Sequence, residues 1–143
     1  MQALATLFEQ HPLIALHLAC ALLALLAGSV LMSRPKGTQT HRALGWAFVA
    51  LLGVATLSSA FIRDQRLPNL AGFTAIHLLT VVTAVFLPLG VWHIRHGQLE
   101  AHRRTMTRLF IGACVVAGLF ALVPGRFLGD LLWKQGVGLQ ASR

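Results

Sequence analysis

Four stretches of this chain contain no Asp, Glu, Lys or Arg: residues 10–33, 43–62, 67–94 and 109–125. A bilayer core of ~30 Å takes about 20 helical residues at ~1.5 Å each. All four stretches reach or approach that length, and Thr105, Met106 and Thr107 extend the shortest at one end. Of the 143 residues, 56% are hydrophobic and 11% charged, where a soluble domain carries about a quarter charged residues. The expectation is an all-α integral membrane four-helix bundle. It forms one transmembrane domain over residues 1–143, with spans at about 12–32, 43–62, 70–92 and 105–124. Residues 1–11 hold no Lys or Arg, so the first stretch reads as a span rather than a cleaved signal peptide.

The net charge of +8 does not mark a nucleic-acid binder, because the cations flank the spans instead of forming one patch. One side collects Arg34, Lys36, Arg42, Arg95, Arg103, Arg104 and Arg108, and the other Arg63, Arg66, Arg126, Lys134 and Arg143, which is 7 against 5. By the positive-inside rule the 33–42 and 93–104 loops are expected in the cytoplasm and both termini in the periplasm of a bacterial inner membrane. Cys20 and Cys114 both fall inside spans and read as small packing residues, not a disulfide framework.

The chain also repeats itself. "HLACALLALLAGSVLMSRPKGTQTHR" begins at His17 and "HLLTVVTAVFLPLGVWHIRHGQLEAHR" at His77. Laying His17 on His77 puts Leu18 on Leu78 and, twenty residues on in both, Gly37 on Gly97. One inserted residue then brings His41 and Arg42 onto His102 and Arg103. A duplicated helical hairpin follows, its two units related by an axis along the membrane normal. In an up-down bundle, spans one and three are diagonal, as are two and four. His17 and His77 then face each other near one membrane surface, and His41 and His102 near the other.

An intramembrane histidine is costly unless it is paired or functional. Two readings stand for His17 and His77. They are axial ligands of a b-type haem, for which two facing imidazoles give a six-coordinate, electron-transferring iron, or they tie helices together by hydrogen bonds. The faces they share run to Cys20, Ala21, Ala24 and Gly28, and to Thr80, Ala84, Pro88 and Val91. These small side chains suit close packing or a flat cofactor. No CxxCH is present, so covalent haem attachment is excluded. For His41 and His102, beside Arg42, Arg103 and Arg104, three readings stand: interfacial anchors, ligands of a second haem, or a cationic pocket for a quinone headgroup or anionic solute.

Other residues read as architecture. Gly45 and Gly53 share a face and suit close helix packing. Pro88 lies deep in the third span. Trp46, Trp92 and Trp133 sit at interfaces, and residues 127–134 suit a short surface helix. His93, His96 and His11 read as loop or cap residues. The spans hold no carboxylate, and Thr56, Ser58 and Ser59 lack a paired base, so no catalytic constellation appears.

The order "H…KGTQTHRALGW…IHLL…HRRTM" resembles the DUF2306 family of small predicted bacterial membrane proteins. That family carries a first-helix histidine, an HR-x-x-G motif and an H-R-R-x-M motif. Here these correspond to His17, to His41, Arg42 and Gly45, and to His102, Arg103, Arg104 and Met106. The resemblance covers nearly the whole chain and brings no settled biochemical function. The diagonal histidines also look like the four-helix core of cytochrome b561, an analogy of architecture.

The leading expectation is therefore a b-haem electron-transfer protein or small oxidoreductase subunit. Its primary ligands are His17 and His77, and it exchanges electrons with quinone or a redox partner protein. The alternative is a membrane scaffold or carrier for a lipid or anionic solute, its Arg42, Arg103 and Arg104 gripping headgroups. The bilayer is the expected partner, nucleic acid is not, and association into a homo-oligomer is open.

Overall fold

The structure, a computed structural model, describes residues 12–62 and 75–122. Helix α1 spans Pro12–Ser33, α2 Gln39–Phe61 and α3 Ala75–Arg95. The fourth, α4, runs Leu99–Ala121. Its middle, Phe110–Val116, winds as a π-helix between the α-helical pieces Leu99–Leu109 and Ala117–Ala121. All four are long and apolar enough to cross a membrane, and the described residues contain no strand. The protein is an all-α membrane helical bundle, as its uncharged stretches require.

Helices adjacent in sequence pack on one another, and the π-helical turn of α4 closes back onto α1. That order makes α1 and α3 diagonal, and likewise α2 and α4. The core is a thin line of side chains: Ala24, Ala27 and Leu31 from α1, Phe48 and Leu52 from α2, Leu87 from α3, and Leu109 and Cys114 from α4. On α3 the buried residues Thr83, Leu87 and Gly90 follow the spacing of one helical face. On α4 the step from Leu109 to Cys114 is five residues, the repeat of a π-helix. The outer surface is apolar, with Leu57 68%, Phe61 74% and Leu78 68% exposed. Such a surface suits lipid, which solvates leucine as well as a protein core does.

Two glycines set the helix approaches. A Cβ on Gly28 of α1 would run into the Phe110 ring and lie 3.0 Å from Phe48. On Gly90 of α3 it would run into Met106 and lie 3.3 Å from Thr105. The packing role expected of Gly45 is not found, because a Cβ there would meet nothing within 4 Å. At Gly53 the nearest atom is a Leu87 methyl at 3.9 Å. A glycine marks a close approach only where a bulky partner stands opposite, and α4 supplies Phe110 and Met106 instead.

The repeat is visible in the backbone. Gly37 and Gly97, aligned in the sequence, carry φ of 83° and 72°. This left-handed conformation favours glycine, and each glycine turns one helical hairpin. Thr38 then caps α2, its Oγ1 accepting from the His41 N–H at 3.1 Å. Helix α2 consequently starts at Gln39, before the expected 43, and α4 starts at Leu99, before the expected 105. The apolar slab ends sooner than the helices do, because both helices carry basic residues into the headgroup layer, and only α2 does so from a side-chain cap. Thr38→Ala is expected to cost about 1 kcal/mol, the usual worth of an N-cap, read as an earlier midpoint in denaturing-detergent unfolding. Pro88 lies inside α3, which remains one helix. The expected surface helix over 127–134, Trp133 and His11 lie outside the described residues.

Candidate functional site

A cavity of about 400 Å³ opens between the four helices, within the size range of small-molecule pockets. Its wall is mostly Leu and Ala, with a polar ribbon of His17, Thr56, Ser59, Thr80 and Thr83. Cys114, a buried free thiol on the π-helical turn, lines it too. π-Helical turns recur at functional sites because the widened turn displaces side chains from the regular register.

His17 sits in this wall with a fixed ring. Its Nδ1 lies 2.9 Å from the Ala55 carbonyl oxygen and 3.1 Å from Ser58 Oγ, both on α2. A carbonyl only accepts, so Nδ1 carries the proton. The Ser58 hydroxyl itself donates to the Ala55 carbonyl at 3.0 Å. Ser58 thus has the nitrogen neighbour that the sequence reading did not give it, but that nitrogen is a donor and does not activate the hydroxyl. In the neutral ring Nε2 keeps its lone pair. The contacts of the ring to Ala55 and Ser58 are both made through Nδ1, and the ring lines the cavity. His77 is half-buried on α3, three residues before Thr80, and the α3 wall of the cavity starts at Leu79.

The second histidine pair meets at the loop face. His102 of α4 donates from Nδ1 to the Gly90 carbonyl of α3 at 2.8 Å. Gly90 therefore both admits Met106 and holds His102. His41 of α2 interacts electrostatically with His102, although their helices are diagonal. Its Nδ1 is buried with no hydrogen-bond partner. Burying such a nitrogen alone costs about 1–3 kcal/mol, so the position asks for a partner.

Around this pair the surface is basic. Arg34, Lys36, Arg42, Arg95, Arg103, Arg104 and Arg108 are all exposed. The one acid among the described residues, Glu100, is engaged by Arg104 at 2.9 Å. Lys36 closes the end of α1 by donating to the Met32 carbonyl at 2.8 Å. Arg95 lies 5.9 Å over the Trp46 ring, and Trp92 stacks on His96 at 4.2 Å. His93 is bound to Gln98 Oε1 at 2.7 Å and His96 to the Trp92 carbonyl at 2.9 Å, so both serve the turn. No group of three or more His, Cys, Asp or Glu side chains converges among the described residues.

Sequence reasoning picked His17, His41, His102 and, on the His77 face, Thr80, but missed Thr56, Ser59 and Thr83 as parts of a wall. A signal existed: hydroxyl residues cluster on two spans at the end where His17 lies. The π-helix had no signal, since "FIGACVV" contains no breaker beyond one glycine.

No curated protein and no solved structure matches the chain. A family model does, that described as "Predicted membrane protein (DUF2306)", and since it matches residues 14–132 the chain belongs to the DUF2306 family.

Proposed function

We propose that this membrane protein transfers electrons through a b-type haem carried on His41 and His102. One observation carries the reading: the buried, unpartnered His41 Nδ1 stands in electrostatic range of His102. The ring of His102 is already held through its Nδ1 by the Gly90 carbonyl. A metal-ligating histidine usually donates its other ring N–H to a carbonyl or carboxylate in this way. Two imidazoles from diagonal helices would be suitable donors for such a group. The exposed Arg42 and Arg103, next in sequence to the two histidines, supply cations for the two haem carboxylates.

Such a haem supplies one-electron chemistry. The chain holds the His102 ring through the Gly90 carbonyl and fixes the His41 backbone through Thr38, and it lets α4 approach α3 at Gly90 so that His102 reaches inward. The reading moves the iron from the expected primary pair, His17 and His77, to the loop-face pair. It puts the loop face in the cytoplasm, following its cations.

The test is colour. Protein purified in detergent from haem-replete cells is expected to show a low-spin reduced-minus-oxidised spectrum and one haem per chain. A colourless, well-folded preparation sinks the proposal. It would favour the alternative of a carrier or scaffold for anionic headgroups, which rests on the same exposed Arg42 and Arg103.

A further inference from the structure

The cavity at His17 lies apart from the loop-face histidines. His41 and Ala55 are fourteen residues apart on α2, about 21 Å along the helix axis. What the cavity takes follows from where its protons point. Thr56 donates to the Leu52 carbonyl at 2.7 Å and Thr83 to the Leu79 carbonyl at 2.8 Å. Ser59 donates to the Thr56 carbonyl at 2.7 Å, and its oxygen lies 2.9 Å from Thr80 Oγ1, so the protons of that pair stay in the wall. The His17 ring proton is shared between the Ala55 carbonyl and Ser58. Backbone N–H groups in a helix are taken by their own ladder. Beyond the weak donor of Cys114, the polar wall offers lone pairs: hydroxyl oxygens and, strongest among them, His17 Nε2. Among the described residues the wall holds no Lys or Arg.

We infer that this cavity binds an apolar molecule whose polar end is a hydroxyl, of the hydroquinone class, and that the hydroxyl donates to His17 Nε2. A wall of acceptors discriminates by proton. A hydroquinone brings a strong donor, which the described wall lacks. Its oxidised quinone brings only acceptors and would have to break an existing wall hydrogen bond. A carboxylate meets no cation among the described wall residues. The apolar remainder of the ligand lies against the Leu and Ala side chains. The cavity therefore selects the reduced partner of a redox couple.

Equilibrium dialysis of the detergent-purified full chain against decyl-hydroquinone, its dimethyl ether and decyl-quinone tests the inference. The hydroquinone is expected to bind about tenfold or more tightly than the other two, the discrimination of one well-made buried hydrogen bond. His17→Phe keeps a ring but no acceptor, and is expected to lower hydroquinone to the affinity of the ether. His17→Gln bonds the Ala55 carbonyl through its amide N–H and presents its own carbonyl, and is expected to keep part of the preference. Equal binding of hydroquinone and ether to the wild type overturns the inference, even if His17→Phe fails to fold. So do a preference that survives His17→Phe, absence of binding by any probe, and loss of haem absorbance in His17→Ala, which would give this cavity to iron. Colour without hydroquinone preference leaves the haem reading intact, and hydroquinone preference without colour leaves this one.

Discussion

Gly28→Leu is expected to destabilise the bundle by about 1–3 kcal/mol, the usual cost of overpacking a filled core. A Cβ at this position already collides with the Phe110 ring and touches Phe48, and a leucine adds three more carbons. Phe110 opens the π-helical turn of α4, the part of α4 that closes onto α1. The damage should therefore fall on the α1–α4 contact and on the cavity wall beyond it. Unfolding midpoints in a denaturing detergent measure the loss. Gly45→Ala is the matched control. Its Cβ meets nothing within 4 Å, and alanine favours a helix over glycine by roughly 0.5–1 kcal/mol, so this variant is expected to be neutral or slightly more stable. Equal destabilisation by the two substitutions would mean that Gly28 acts through helix propensity and not through contact.

The contrast between these glycines shows what the sequence could and could not say. Four uncharged stretches decide that the chain forms four membrane helices, because no soluble arrangement covers so much apolar surface. The repeat was legible as well. Gly37 and Gly97 align without a gap, and both adopt positive φ at the hairpin turns. Which glycine is pressed by a neighbour was not legible, since that depends on the rotation of α4 about its axis. The π-helical segment resets this rotation by a residue, and nothing in "FIGACVV" announces it.

The histidines divide in the same way. His17 stood out through its depth in a span and its echo at His77. Its hydrogen-bond partners, the Ala55 carbonyl and Ser58, lie on α2. A backbone acceptor is invisible in a sequence, which explains why Ser58 and Ser59 read as unremarkable hydroxyls. His41 and His102 read equally well as headgroup anchors or ligands. The proposal rests on the buried, unpartnered nitrogen of His41, which only packing could reveal.

Loss of haem on substituting the loop-face pair is the largest effect expected. Under the proposal His41 and His102 would hold the iron, so His102→Ala would remove one ligand together with its link to the Gly90 carbonyl. His41→Ala would remove the other. Neither should unfold the helices, because both residues are half-buried near the ends of α4 and α2. The decisive measurement is the reduced-minus-oxidised spectrum and haem content of four proteins side by side: wild type, His41→Ala, His102→Ala and His17→Ala. The account predicts one low-spin haem per chain in wild type and His17→Ala, and loss of that signal in His41→Ala and His102→Ala. A spectrum lost in His17→Ala and kept in both loop-face variants would contradict it and return the iron to the cavity.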